Sequence, residues 1–300
     1  MAKQDYILRH MSIVRKLRKS GQANFREIRE YLRSESELLD RPLDISIRTF
    51  QRDLEEIRTI YFINIQYDFS TKAYYIAEDL QSDIYNRMLE SVDTLNALRL
   101  AGEAGKYMFF ERRRAGGTHH FQGLLNAIRN RIVINLVHRK FDCDEPTERL
   151  VDPLALKESK GRWYLFARDR ADHRLKTFGL DRILDFGNTP RRFDYPATTD
   201  VNEHFRHCFG VINPEDASPE EVILSFRPEQ GKYITSYPLH DSQTVLADNE
   251  RELRIRMNIY ITHDLVMEIL SYGDTVEALT PMSLRKILES TFKTALALYK

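Results

Sequence analysis

The sequence predicts an α+β protein of several domains, and three observations carry that reading. The first eighty residues repeat apolar positions at helical spacing three times and then alternate. A middle stretch consists of short apolar runs separated by turn residues. The last eighty or so residues interleave alternating and helical patterns. Three hundred residues suffice for two or three domains, each with a core of its own. An apolar content of 42% with 30% charged residues excludes a disordered chain. The longest apolar runs fall far short of the roughly 20 residues that cross a bilayer. The opening Met1–Tyr6 lacks an apolar signal core, and two cysteines, Cys143 and Cys208, make no disulfide framework. The expectation is a cytoplasmic protein with no membrane partner.

The expected domains are 1–78, three helices and a hairpin; 79–130, a helical connector; 131–213, a β domain; and 214–300, a second mixed domain. Formal net charge is zero, but it is unevenly spread. Residues 1–33 hold nine Lys/Arg and three acids, whereas 214–300 hold nine Lys/Arg and fourteen acids. A basic front and an acidic back suit a chain that presents one end to an anion.

In the first domain, a helix is expected over 5–20, with Ile7, Leu8, Met11, Val14 and Leu17 on one stripe and Gly21 ending it. Asn24, with Glu27 three residues on, is a capping box opening a second helix. Ser46 caps a third over 47–60, whose Ile47, Phe50, Leu54 and Ile57 share a face. Alternation over 62–67, a turn at 70–72 and a return at 74–76 make a hairpin. Three helices and a hairpin give a winged helix-turn-helix, whose third helix enters the major groove by its N-terminal turns. Ser46, Arg48, Thr49, Gln51 and Arg52 are therefore the expected DNA contacts, Arg and Gln being able to pair bidentately with guanine and adenine. Lys72 at the wing tip is placed to reach phosphate. Asp53, Glu55 and Glu56 follow at once and would repel phosphate, limiting DNA contact to the first two turns. The competing reading is a small helical packing module with Arg48 and Arg52 as solvated surface.

A connector helix is expected over 79–102, Arg112–Arg114 form a loop, and a short helix over 121–130 leads into strands beginning at Ile132. Turns at 142–148, 159–161 and 170–173 divide a small curled sheet or barrel. Within it, Gly161–Asp169 holds the only Trp, and five apolar residues run together where a half-buried strand would alternate. Both faces of that strand should be covered. The third region reads as strand 222–226, helix 231–237, strand 253–260, a helix capped by Thr262 and stopped by Gly273, strand 274–281, and a final helix capped by Ser283. It is assigned the β-α-β-β-α-β order of a ferredoxin-like fold.

Asp152–Leu156, Trp163-Tyr164-Leu165, Thr177-Phe178 and Leu180–Ile183 together resemble the WYL family of bacterial sensor domains, over about 131–190. The run 46–57 resembles the recognition helix of the DeoR-like regulators that commonly precede such domains. Tyr272–Pro281 is similar to the C-terminal extension often attached to them. The resemblance implies an Sm-like barrel that binds negatively charged ligands, nucleotides or short nucleic acids among them. Tyr164 would stack or donate, and Arg168, Lys176 and Arg182 would supply charge-assisted bonds. His138, at a strand end, is either a ligand contact or a hydrogen-bonded structural residue, and Arg182 competes with an ion pair to Asp181. Two positions depart from the family: Lys176 and Gly179 stand where many members have Arg. Lys keeps the charge but not the two-pronged geometry.

No catalytic constellation is found, so no enzymatic activity and no cofactor are expected. His204, His207 and Cys208 lack a fourth ligand at matching spacing, so no metal is expected either. Gly102–Lys106 is too short for a phosphate loop, and Tyr107 stands where Ser or Thr must ligate magnesium. The expected function is a transcriptional regulator that binds double-stranded operator DNA as a homodimer and answers to an anionic effector. The alternative is a nucleic-acid- or nucleotide-binding accessory protein without sequence-specific DNA binding.

Overall fold

A computed structural model describes residues 5–39, 41–61, 63–77, 116–141, 145–196, 199–214 and 216–300. The expected connector helix, the arginine loop, the Gly102–Lys106 stretch, Phe62 and Cys143 lie outside the described residues. The chain divides into two compact units, Met1–Glu111 and Arg112–Lys300.

The first unit runs α1 (Asp5–Ser20), β1 (Gln22–Ala23), α2 (Phe25–Leu39), α3 (Ile47–Tyr61), β2 (Ile65–Asp68) and β3 (Ala73–Ile76). The capping box forms as its residue types require: Asn24 Oδ1 accepts from the Glu27 amide at 3.0 Å and Glu27 Oε2 from the Asn24 amide at 2.8 Å. Ser46 Oγ likewise accepts from the Thr49 amide at 3.2 Å and opens α3. Gly21 turns the chain out of α1 at φ 72. The short β1 pairs with β3, which also pairs with β2, so the wing is a three-stranded sheet. Met11, Val14, Leu17, Ile28, Leu32, Phe50 and Ile57 form the core between the helices. Asp53 corrects the expectation of a phosphate-repelling acid. It is fully buried and bound to Arg9 of α1.

The second unit begins with α4 (Phe121–Arg129) and a five-stranded antiparallel sheet: β4 (Ile132–His138), β5 (Thr147–Ser159), β6 (Arg162–Asp169), β7 (Leu175–Gly179) and β8 (Ile183–Arg192). The order β7-β6-β5-β4-β8 puts the first strand between the second and the fifth, the arrangement of an Sm-like barrel. Bulges bend it, including one at Pro153–Ala155, where a Pro is tolerated. Lys160 at φ 49 and Gly161 at φ 72 turn β5 into β6, as residues 159–161 predicted. Strand β8 reaches well past the expected end at Ile183, and β5 already begins at Thr147, inside the expected turn.

The apolar run of β6 is covered on both sides. Leu165 and Ala167 enter one core with Leu124, Ala127, Leu136 and Phe178. Phe166 enters another with Val133, Leu154, Phe193 and Phe205. Phe205 ends the short linker helix α5 (Val201–Phe205), which Asp200 caps through the amides of Asn202 and Glu203.

The last domain runs β9 (Glu220–Phe226), α6 (Pro228–Ser236), β10 (Thr244–Asp248), β11 (Leu253–Ile259), α7 (His263–Ser271), β12 (Val276–Thr280) and α8 (Met282–Ala297). The all-antiparallel sheet order β10-β11-β9-β12 is that of a ferredoxin-like fold. Strand β10 was not picked out in the sequence. Thr262 does occupy the cap position of α7, but its hydroxyl makes no capping bond and is buried without a partner. Ser283 does not cap α8; the helix starts at Met282 behind Pro281, whose fixed φ suits a helix entry. The domain is joined to the barrel by Lys160 to Glu268 at 2.5 Å and to the linker by the Tyr260 amide to the His207 carbonyl at 2.9 Å.

Candidate ligand cleft and nucleic-acid interface

A cleft of about 540 Å³ opens on the barrel of the second unit. The ends of β4, β5 and β7 supply His138, Arg149 and Lys176, the loop after β4 supplies Lys140 and Phe141, and the turn after β7 supplies Arg182. The linker closes another side with His204, Val211, Ile212 and Asn213. Among the described residues, four cations and no carboxylate line the cleft.

Two of those cations are held from behind. Asp169, buried at the end of β6, lies 2.7 Å from Arg149 Nη1 and 2.8 Å from Lys176 Nζ. Burial alone would raise its pKa. Lys176, the Ala171 amide and Arg149 outweigh that and hold the carboxyl down at about 2. Lys176 also reaches Asp172 at 2.5 Å. Arg182 stands differently. Its guanidinium lies over the exposed ring of Phe141, 4.6 Å from the centroid, and its Nε is buried without a hydrogen-bond partner. The expected competitor for Arg182 is engaged elsewhere, since Asp181 faces Arg162 at 3.4 Å.

Gly179 explains how Arg182 folds inward. A Cβ there would stand 2.6 Å from Asp181 Oδ1 and 3.0 Å from Arg182 Nε. The bare backbone thus lies under the two side chains, and the residue that departs from the family pattern is the one that admits them.

His138 is 5% exposed, and its Nε2 has no hydrogen-bond partner. Burial first, then Arg182, Arg149 and Lys140, press its pKa down to about 4, so the ring is neutral at physiological pH. Its ring meets Phe178 edge-on at 5.3 Å. The cleft thus offers charge donors around a neutral, unsatisfied imidazole.

Of the five residues expected to bind ligand, His138, Lys176 and Arg182 line the cleft; Tyr164 and Arg168 do not. Arg168 is tied to buried Asp152 at 2.7 Å, which Arg170 also reaches at 2.6 Å. Tyr164 lies opposite Lys157 and Gly179 in the sheet, and burial raises its pKa. Sequence reasoning missed Lys140, Phe141, Arg149 and the linker residues. Neither Arg149, one of several charged residues in its strand, nor Val211–Asn213 carried a local signal.

In the first unit, Ser46 and Thr49 spend their hydroxyls on the cap, 3.1 Å from each other. Arg48 and Gln51 project from the first turns of α3, exposed and without a partner among the described residues. Arg52 is exposed and leans toward Glu56 at 3.6 Å and Asp53 at 3.8 Å. Lys72 is exposed in the hairpin turn at φ 53. The surface that opens α3 is therefore polar and cationic.

Fold and cleft define a multidomain winged-helix protein with an attached cation-lined barrel. The family model described as the WYL domain matches residues 119–186, and the one described as the WCX domain matches 218–296. The chain thus contains a WYL domain followed by a WCX domain. Among solved structures it is similar to proteasome accessory factor B/C (PafBC) of Arthrobacter aurescens, at 25% identity and a TM-score of 0.28. That match covers 71% of this chain and 32% of the other, so the chain spans about a third of that length. It is also similar to a CRISPR Cas-related protein, at 10% identity and a TM-score of 0.39, over 98% of this chain and 83% of the other. No curated protein matches the sequence. Among the described residues, no helix is long and apolar enough to cross a membrane.

Proposed function

We propose that the protein is a DNA-binding transcriptional regulator whose WYL domain takes a negatively charged ligand, a nucleotide or a short nucleic acid, in the cleft around Arg182. The observation that carries the reading is the lining of that cleft, where Lys140, Arg149, Lys176 and Arg182 converge with no carboxylate among the described lining residues. Charge-assisted bonds from such donors favour phosphate, and the exposed Phe141 ring adds a surface on which a base stacks. Arg48, Gln51 and Arg52 at the start of α3 support operator binding, because those side chains match guanine and adenine edges in the major groove. A single short helix reads few bases, so the working form is a homodimer on paired half-sites. The chain acts by binding, without catalysis, in the cytoplasm.

The link from ligand to DNA runs through the linker. His204 and Val211–Asn213 are both a wall of the cleft and the lead into the WCX domain. A ligand that repositions them shifts the population of DNA-competent forms by its difference in affinity between the states.

The test is binding of fluorescein-labelled single-stranded oligonucleotides to the full chain, followed by anisotropy. Saturable binding that falls steeply with salt and is lost in Arg182→Ala is expected. Binding that ignores this substitution would contradict the cleft.

A further inference from the structure

The wing carries a feature that neither the helix-opening cations nor the cleft uses. Strands β2 and β3 are joined by Phe69-Ser70-Thr71-Lys72, and Phe69 is 85% exposed at the tip. The turn that presents it is closed: Asp68 Oδ1 accepts from the Ser70 amide at 2.8 Å and from its hydroxyl at 2.6 Å. Lys72, in the left-handed region, ends the same turn.

Phe69 is also braced from below. Its ring meets Tyr67 edge-on at 5.1 Å, Tyr67 meets Tyr74 at 4.8 Å, and Tyr74 meets Phe50 at 5.0 Å. Phe50 is fully buried on α3. A continuous run of rings therefore connects the inner face of α3 with the wing tip. Exposed single apolar residues are common on protein surfaces. One that is braced by a run of rings, beside a lysine and linked to a helix whose first turns expose Arg48 and Arg52, has a defined orientation.

We propose that Phe69 is an apolar wedge that enters the minor groove of bound duplex DNA and partly unstacks one base step beside the site read by α3. The inference rests on the reading of α3 as a DNA-binding helix. Lys72 supplies a phosphate contact next to the wedge, and the sugars and exposed step supply the apolar surface that a phenyl ring needs. Pyrimidine–purine steps unstack most easily, so the wedge adds a preference for TA or CA outside the bases that Arg48 and Gln51 touch.

The experiment is selection from a random duplex library by the full-length chain, in parallel with Phe69→Ala and Lys72→Ala. Bending of the wild-type-selected duplex is then measured by end-to-end energy transfer. Wild type is expected to enrich a core motif flanked by a pyrimidine–purine step and to bend it. Phe69→Ala is expected to keep the core, lose the flanking step and the bend, and bind about tenfold more weakly. Lys72→Ala weakens all sequences alike and lowers the salt slope by about one, leaving the step in place. An unchanged motif and bend in Phe69→Ala would overturn the wedge while leaving DNA reading by α3 intact. Loss of the core in that variant, with unchanged thermal unfolding, would overturn it too, since a wedge beside the core leaves core readout standing. Failure of wild type to enrich any motif would instead remove the reading of α3, and the wedge with it.

Discussion

Arg9 and Asp53 form a two-pronged ion pair in the interior of the first unit, Nε to Oδ2 at 2.6 Å and Nη2 to Oδ1 at 2.9 Å, with side chains 1% and 0% exposed. The pair fastens α1 to the middle of α3. It fixes which face of α3 turns inward, and so which residues are left outside to meet a partner. Removing one side of a buried pair costs about 3–5 kcal/mol. Asp53→Ala is therefore expected to unfold the first unit well below the wild-type temperature, with DNA binding lost as a consequence. Calorimetry checks it; an unchanged transition would contradict the role of the pair.

The same carboxylate sets an acid sensitivity. Burial would raise the pKa of Asp53, but contacts from His10 and Arg9 outweigh it and hold it below the usual value. A depressed carboxylate contributes stability that is complete above its unfolded pKa and lost as pH falls through the folded one. The first unit should therefore weaken below about pH 4, and Asp53→Asn should flatten that acid limb.

His138 adds a second pH window of the same sign, at higher pH. Its pKa falls from 6.5 unfolded to about 4 folded, so the unfolded state binds more protons between those values. Stability of the second unit is expected to decline as pH drops from about 6.5 toward 4, by up to about 3 kcal/mol. His138→Gln should remove that decline. A slope unchanged by the substitution would mean that the imidazole titrates normally.

Gly179→Ala is expected to leave the fold within about 1 kcal/mol of wild type, because the atoms it meets are ends of movable side chains. It should nonetheless push Arg182 out of its position over Phe141. A drop in anion affinity of roughly tenfold follows if one charge-assisted bond is lost. Titration calorimetry with an oligonucleotide reads this directly, and unchanged affinity would show that Arg182 is not a ligand contact.

Much of the first unit was legible in the sequence. Helix α3 has a capping Ser, an apolar face of Phe50, Leu54 and Ile57 and no competing turn signal, so local physics and fold agree there. Asp53 was misread because a buried acid looks like a surface acid until its partner, 44 residues away, is known. Strand β10 was missed for another reason. It is an edge strand with Val245 and Leu246 half exposed and a bulge between Val245 and Ala247, so no alternation marks it. The run around Trp163 announced two covered faces, and two cores were found. The cleft was only half readable. His138, Lys176 and Arg182 stand at strand ends or turns near the expected motif, whereas Arg149 joins them through register and Val211–Asn213 through the path of a linker.

Replacing Arg48 and Arg52 by Ala should abolish specific DNA binding while leaving thermal stability nearly unchanged, since both side chains are exposed. Each base-edge contact of this kind is worth about 1–3 kcal/mol. Retention of specific binding by the double variant in a competition gel shift would remove α3 as the reading element.

The measurement that tests the central claim most directly is a gel shift of the DNA upstream of the protein's own gene, at physiological salt with excess competitor. Short single-stranded oligonucleotides are then titrated against wild type and Arg182→Ala. A shifted band whose midpoint moves with oligonucleotide in wild type, and does not move in Arg182→Ala, is the expected result. No specific band with or without oligonucleotide, or a midpoint that moves equally in both proteins, would contradict a regulator governed by this cleft.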